Sequence, residues 1–208
     1  MSQITSGVRH LLSSPIVYSF FQHIVGGNKG KGIVVGKYLR PERRSNVLEI
    51  GCGPGDYSEY FGDETNYTGF DLSQLYIDNA KRKYSPRKNL QFICADVNHF
   101  AITELNKFDI CFAAGLLHHL NDNECSTVFK MAHSALKEGG RCITIDPVFV
   151  EGQSTLAKYI VSWDRGQNIR RPMGYQNLAN SAFESVKTSI RHDLLRIPYS
   201  HIIMECTR

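Results

Sequence analysis

Three glycines at alternate positions, Gly51, Gly53 and Gly55, follow directly after the short apolar run 47–50. Such a run is typical of a strand buried in a parallel sheet, because both faces of that sheet are covered and its residues need not alternate. The glycines allow a positive φ or a close approach of the backbone to another group. A strand, a glycine turn and a helix in this order place a nucleotide-like ligand against N–H groups at the helix N-terminus.

The spacing of these glycines separates two classes of ligand. A dinucleotide-binding turn has the pattern G-x-G-x-x-G, and the position of its last glycine is occupied here by Asp56. A carboxylate facing a pyrophosphate makes an unfavourable contact between like charges. We therefore expect a ligand without phosphates, with Asp56 as a candidate helix cap. A nicotinamide-dependent oxidoreductase stays open as the less favoured alternative.

Two further acids lie at the ends of predicted strands. Asp71 ends the strand 67–71 and lies 71 − 51 = 20 residues after the first glycine, the spacing at which an acid accepts hydrogen bonds from ribose hydroxyls. Asp96 follows the apolar segment 92–95. Ligands bind at the carboxyl ends of the strands in such sheets, so the glycine turn and both acids are expected at one edge.

The segments 49–55, 67–71 and 92–97 together resemble motifs of class I S-adenosylmethionine-dependent methyltransferases. The resemblance implies S-adenosylmethionine as the cofactor and an α/β fold: a doubly wound, Rossmann-like, seven-stranded and mostly parallel sheet with an antiparallel hairpin at its edge. In that family the acid at the position of Asp71 binds the ribose, and the acid at the position of Asp96 holds the adenine amino group. The cofactor contacts that the resemblance implies are Tyr18, Glu49, Gly51, Cys52, Gly53, Asp71, Leu72, Asp96, Val97 and Ala114.

Two adjacent histidines, His118 and His119, follow the predicted fourth strand, 108–115. Methyltransferases that act on exocyclic amino groups of bases usually carry an Asn/Asp-Pro-Pro-aromatic motif here, and those that attack pyrimidine C5 carry a Pro-Cys pair. The chain has neither, and its Leu-His-His-Leu sequence resembles bacterial enzymes that methylate small molecules. The resemblance implies methyl transfer to oxygen or nitrogen of a small-molecule acceptor. A subunit that binds the cofactor but has lost activity stays open.

A hydroxyl acceptor must lose a proton, and a histidine beyond the end of a strand can accept it. Adjacent residues in a helix or turn point about 100° apart, so we expect only one of the two histidines to face the site. We prefer His119 to His118 as the base, and Asp146 at the end of the fifth strand also qualifies by position. The alternative is that both histidines are ordinary loop residues.

The polar segment after the fifth strand lies where the family inserts its acceptor-binding elements. Trp163, Arg165 and Gln167 are the candidate acceptor contacts, and Arg170 and Arg171 follow them. Arginine makes bidentate contacts to carboxylates and phosphates, so an acceptor with an anionic group is expected. A plain solvated surface loop is the alternative.

The chain has 208 residues, enough for one α/β domain. We expect N-terminal helices and a cap in 1–40, a cofactor-binding half in 41–147, and the acceptor-side segment with the edge hairpin in 148–208. An amphipathic helix is predicted to end at the pair Gly139-Gly140. Its N-cap is Asn121 or Asn123.

Composition indicates an ordinary globular protein, with 42% hydrophobic and 21% charged residues. The mild net charge of +4 gives no reason to expect nucleic acid as a partner. Six cysteines without a C-x-x-C pair favour reduced thiols in a cytoplasmic protein over a metal site or a disulfide framework. No apolar run is long enough to cross a bilayer, so no membrane partner is expected.

Overall fold

The computed structural model of the protein describes residues 27–97, 100, 105–164 and 166–208. Two of the predicted site residues, Tyr18 and Arg165, lie outside these ranges, as does the predicted N-terminal helical region up to residue 26. The remaining predicted site residues lie within them.

A seven-stranded sheet in the order β3-β2-β1-β4-β5-β7-β6 forms the centre of the fold. Its first five strands are parallel, and β7 lies antiparallel to both of its neighbours, β5 and β6. The strands are β1 (Asn46–Ile50), β2 (Asn66–Asp71), β3 (Leu90–Cys94), β4 (Phe108–Ala114), β5 (Leu136–Pro147), β6 (Ser185–Arg191) and β7 (His201–Thr207). This arrangement confirms the predicted doubly wound sheet with its antiparallel edge hairpin.

Helices or helical turns lie between most of the successive strands in the described part of the chain. The α-helices are α1 (Gly27–Val34), α2 (Gln74–Lys83), α3 (Asp122–Ala135), α4 (Thr155–Ser162) and α5 (Pro172–Asn180). A π-helical turn, Val35–Leu39, extends α1, and 3₁₀ turns cover Asp56–Tyr60 after β1 and Leu117–His119 after β4. No helix in the described ranges is both long and apolar enough to cross a membrane.

The sheet is buried on both faces, which explains the continuous apolar run in β1. Leu48 and Ile50 pack in one core cluster with residues of α3, such as Phe129. Val47 faces the opposite cluster, which includes Ile77 of α2. The strand β1 is therefore packed on both of its faces, which fixes the position of the turn at its carboxyl end.

Side-chain caps begin the helices on both sides of the sheet. The Ser73 hydroxyl accepts a hydrogen bond from the N–H of Tyr76, at 3.4 Å, at the start of α2. Asn121 and Glu124 form a reciprocal capping box at the start of α3, with distances of 3.0 and 2.9 Å. Ser73 thus caps α2, and Asn121 rather than Asn123 caps α3.

The end of α3 differs from the prediction. The helix ends at Ala135, and Leu136 already has extended backbone with ψ 147° and begins β5, paired with Phe108. The predicted stop at Gly139-Gly140 is wrong, because these glycines lie within an irregularity of β5. Gly139 has φ +73°, a backbone conformation that favours glycine and lets the strand bend there.

Candidate active site

The three glycines after β1 all have positive φ, but they serve different purposes. A Cβ atom on Gly51 would lie 2.9 Å from Leu116, and one on Gly55 would lie 2.5 Å from the ring of Phe92. At Gly53, with φ +52°, a Cβ would meet nothing within 4 Å. Gly51 and Gly55 therefore permit close packing, whereas Gly53 leaves open space above the turn.

Asp71 at the end of β2 is tied directly to this turn. Its Oδ2 accepts the N–H of Gly53 at 3.0 Å, and its Oδ1 accepts the N–H of Ser73 at 2.8 Å. A carboxylate offers about four acceptor positions, so both oxygens can still accept hydroxyl donors. Leu72 beside it is 49% exposed, which leaves an apolar surface at the same edge.

The end of β3 joins the same edge through the backbone. The N–H of Ala95 donates to the carbonyl of Asp71 at 3.1 Å. This bond brings Asp96 and Val97, both partly exposed, next to the end of β2. Ala114, also partly exposed, ends β4 and completes the row of strand ends that the sequence predicted.

Asp56 does not cap a helix, contrary to the prediction. Gly55 holds the cap position of the 3₁₀ turn, with no side-chain cap hydrogen bond. The Asp56 carboxylate instead forms ion pairs with Lys31 at 3.1 Å and Lys83 at 3.5 Å. Two lysines offset the charge of Asp56, so its carboxylate would repel a pyrophosphate only weakly. The glycine spacing is therefore the stronger of the two arguments against a dinucleotide ligand.

Glu49, a predicted cofactor contact, lies beneath the glycine turn and is 2% exposed. Its carboxyl accepts a hydrogen bond from the hydroxyl of Tyr67. Burial raises the pKa of Glu49 to about 8, although the bond from Tyr67 acts in the opposite direction. Burial likewise raises the pKa of the Cys52 thiol, so this cysteine is a buried apolar side chain and not a nucleophile.

His118 lies between two carboxylates. Its Nδ1 is 2.9 Å from Oδ1 of Asp146, at the end of β5, and its Nε2 is 3.0 Å from Oδ1 of Asp164, which follows α4. Burial disfavours the charged imidazole, but the hydrogen bonds to Asp146 and Asp164 outweigh it and raise the pKa of His118 to about 9. His118 is therefore protonated near neutral pH.

Asp164 has further partners that the sequence did not indicate. Its Oδ2 accepts the hydroxyl of Tyr199 at 2.8 Å, and its Oδ1 accepts the N–H of Gly166 at 2.9 Å. Although burial acts the other way, the contact with His118 holds the pKa of Asp164 well below its usual range. The pKa of Asp146 is raised, because this carboxylate is fully buried.

His119 is buried next to His118, with 4.0 Å between the two ring centroids. One donor atom each from His118, His119 and Asp164 lies within 4.8 Å of the others, close enough to share a metal ion. Both ring nitrogens of His118, however, face carboxylate oxygens, an arrangement that a protonated imidazole satisfies without a metal. We therefore describe the group as an ion-pair network.

The guanidinium of Arg170, predicted to bind an anion, is fully engaged within the protein. Its Nε and Nη2 donate to Asp122 at 2.9 and 2.7 Å, and Nη2 also donates to the carbonyl of Leu120 at 2.8 Å. Its Nη1 donates to the carbonyls of Leu117 and Asn168 at 3.0 and 2.9 Å. All five N–H groups are satisfied, so Arg170 is a structural residue and its predicted role in anion binding is wrong.

The predicted acceptor contacts that the structure describes face outward. Trp163 ends α4 and is 53% exposed, with its ring 5.5 Å from that of Tyr159. Gln167 and Arg171 are also exposed. Trp163 is followed directly by Asp164, so this surface adjoins the ion-pair network.

Comparison with known proteins finds similar methyltransferases. A family model described as a methyltransferase domain matches residues 47–140, which begin at β1 and end within β5. A malonyl-[acyl-carrier protein] O-methyltransferase 2 from Ilyobacter polytropus is 32% identical over 98 residues, 46% of this chain and 36% of the relative. The segment 47–140, which is 94 of the 208 residues, thus matches a methyltransferase domain.

The similar methyltransferases differ in their named acceptors. A ribosomal RNA large subunit methyltransferase E from Brachyspira hyodysenteriae is 26% identical over 106 residues, 46% of this chain and 53% of the relative. The matched segment thus spans about a third to a half of the length of these relatives.

The methyltransferase fold extends over nearly all of this chain. Phosphoethanolamine N-methyltransferase 2 from Haemonchus contortus, solved with phosphomonomethylethanolamine and S-adenosylhomocysteine, superposes with a TM-score of 0.74. The superposition covers 96% of this chain and 58% of that protein, at 16% sequence identity. At this identity the likeness establishes the fold, including the antiparallel edge.

Proposed function

We propose that this protein transfers a methyl group from S-adenosylmethionine to an oxygen or nitrogen of a small-molecule acceptor. The observation that carries the proposal is the open space above Gly53, directly beside the carboxylate of Asp71. A turn with no side chain next to a carboxylate with remaining acceptor positions suits a nucleoside, whose ribose hydroxyls need acceptors. The match of residues 47–140 to a methyltransferase domain supports the same ligand.

In this proposal, different residues at the carboxyl edge would contact different parts of the cofactor. Asp71 would accept the ribose hydroxyls, and Asp96 with Val97 would lie at the adenine. Leu72 would offer an apolar contact to the same ring system, since half of its surface is exposed. S-adenosylmethionine supplies a sulfonium methyl group that is already electrophilic, so the protein need only align the acceptor, exclude water and remove a proton.

His119 is the residue that we propose as the base for a hydroxyl acceptor. His118 cannot take this role near neutral pH, because both of its nitrogens are already held by Asp146 and Asp164. Asp146 is excluded by its complete burial and by its bond to His118. His119 lies on the same 3₁₀ turn, beyond the end of β4, where a proton acceptor is needed.

We also propose that the acceptor carries an anionic group, with Arg171 in place of Arg170 as the residue that pairs with it. Arg170 is engaged within the protein, and the exposed Arg171 is the described residue of this segment that can still pair with an anion. The names of two similar proteins support the idea, because malonyl and phosphomonomethylethanolamine groups are both anionic. The exposed Trp163 would contact an apolar part of the acceptor.

Transfer of an isotopically labelled methyl group tests this function. Purified protein would be incubated with S-adenosylmethionine carrying a labelled methyl group and a pool of metabolites, and the products would be identified by mass spectrometry. A labelled small molecule is expected. Label in added RNA instead would favour the nucleic-acid alternative, and bound cofactor without any labelled product would favour an inactive binding subunit.

A further inference from the structure

The acceptor-side segment, residue 164 with residues 166–170, is held against the turn 117–122 by several separate contacts. Asp164 contacts the ring of His118, and the N–H of Asn168 donates to the carbonyl of His118 at 2.9 Å. Arg170 donates to the carbonyls of Leu117 and Leu120 and to the side chain of Asp122. All of these contacts join one loop to the turn that carries His119.

Gly166 makes this approach possible. A Cβ atom at this position would lie 2.1 Å from Cδ2 and 2.6 Å from the carbonyl oxygen of His118. No side chain can be accommodated at such distances, so the loop backbone lies directly against the imidazole ring. His118 therefore contacts the segment through its ring edge, its Nε2 and its carbonyl at once.

We propose that His118 is a positioning residue whose imidazole, held between Asp146 and Asp164, fixes the acceptor-side segment against the turn that carries His119. The inference rests on the proposed function, because positioning has a meaning only if the acceptor binds here. The imidazole connects the end of β5 to the segment after α4, two elements that the acceptor must contact together. We call this three-residue contact, Asp146–His118–Asp164, the clasp.

The charges around His118 support a protonated clasp. Asp146 faces it from β5 and Asp164 from the segment after α4, while His119 lies on its own turn. The hydroxyl of Tyr199, which lies just before β7, donates to Asp164. Burial lowers the pKa of His201, the first residue of β7, to about 4, so this neighbouring histidine is neutral. Two carboxylates and one imidazolium thus remain. After loss of the proton, the neutral imidazole can donate to only one of the two carboxylates, and the other faces a nitrogen lone pair.

The sole tryptophan of the chain provides a direct measurement of the clasp. Trp163 directly precedes Asp164, so quenching of its fluorescence by acrylamide reports whether the segment is held or released. In the wild-type protein we expect the quenching constant to rise through a transition centred near pH 9, where His118 loses its proton. Asp164→Asn removes one carboxylate charge and is expected to shift this transition to lower pH, whereas Asp164→Glu restores it toward the wild-type value.

Matched variants separate the clasp from general effects. Glu64→Gln breaks an exposed ion pair with Arg43 far from the segment and is expected to behave like the wild type. His118→Gln is expected to abolish the transition near pH 9. The proposal would be overturned if Asp164→Asn had the same quenching constant and pH dependence as the wild type. It would also be overturned if the transition near pH 9 survived in His118→Gln.

Cofactor binding and turnover complete the test. Calorimetry with S-adenosylhomocysteine is expected to give the same affinity for wild type and Asp164→Asn, because Gly53 and Asp71 lie outside the clasp. With the acceptor found by methyl labelling, Asp164→Asn is expected to raise the acceptor KM and lower kcat, and unchanged values would contradict a positioning role. If even the wild type fails to bind S-adenosylhomocysteine, the proposed function fails, while the quenching result still decides whether the clasp exists.

Discussion

The backbone N–H of Gly53 donates to the carboxylate of Asp71 at 3.0 Å, and this bond joins the turn after β1 to the end of β2. Gly53 lies in the turn after β1, whereas Asp71 is the last residue of β2. The 3₁₀ turn and the loop before β2 lie between them in the sequence. The bond holds the carboxylate of Asp71 against the backbone of Gly53, where a Cβ atom would meet nothing within 4 Å. We expect cofactor binding to depend on this geometry.

Gly53→Ala is expected to weaken cofactor binding more than it weakens folding. The new Cβ fits the free protein, since nothing lies within 4 Å, but it occupies the space that the cofactor needs. Positive φ costs a non-glycine residue about 1–2 kcal/mol of stability. Gly139→Ala is the matched control, because Gly139 also has positive φ and an open Cβ position but lies far from the site. Equal affinity in the two variants, measured by calorimetry, would show that Gly53 does not line the cofactor site.

His119→Gln is expected to lower kcat for a hydroxyl acceptor by about 10²–10⁴-fold, the usual contribution of a general base. The affinity for S-adenosylmethionine should change little, because the side chain faces the acceptor in our proposal. The measurement is the initial rate of methyl transfer at saturating cofactor. A full wild-type rate in this variant would remove His119 as the base.

The pH dependence of stability follows from His118. Its pKa is raised from 6.5 to about 9 in the folded protein, so the folded state binds the proton more tightly than the unfolded chain. This stabilisation is fully present below pH 6.5 and is lost as the pH rises through 9. Urea unfolding of the wild type between pH 6 and pH 10, compared with His118→Gln, measures it. Parallel curves for the two proteins would contradict the assignment.

Removal of divalent cations is expected to have no effect. His118 must lose its proton to bind a metal, whereas here both of its nitrogens are paired with carboxylates. Treatment with EDTA should therefore leave the melting temperature and methyl transfer unchanged. Stoichiometric metal in the purified protein, lost in His118→Gln, would instead assign His118, His119 and Asp164 as ligands.

The strands and their ends could be predicted from the sequence because their signals are local. Apolar runs that end at Gly51, Asp71 and Asp96 indicate the strand ends directly, and parallel topology then brings them to one edge. The Ser73 cap and the box formed by Asn121 are likewise signals within four residues. From β1 to the start of α3, the local sequence patterns therefore agree with the observed fold.

The ion-pair network could not be predicted in the same way. Asp164 lies 164 − 118 = 46 residues from His118, and nothing in the intervening sequence indicates that the two side chains meet. Arg170 shows the same difficulty, since an arginine in a polar segment has the same sequence signal whether it binds a ligand or the protein's own carbonyls. The sequence also conceals the end of α3, because two glycines favour a helix stop, while pairing of Leu136 with Phe108 ends the helix earlier.

Calorimetry of cofactor binding tests the central claim most directly. We expect S-adenosylmethionine to bind the wild-type protein and NAD not to compete with it. Asp71→Ala is expected to weaken S-adenosylmethionine binding by about 1.5–3 kcal/mol for each hydrogen bond lost to a charged acceptor. Asp78→Ala, which removes an exposed carboxylate of α2, is the control and should leave the affinity unchanged. Tighter binding of NAD than of S-adenosylmethionine, or equal affinity in wild type and Asp71→Ala, would contradict the assignment of this edge as the cofactor site.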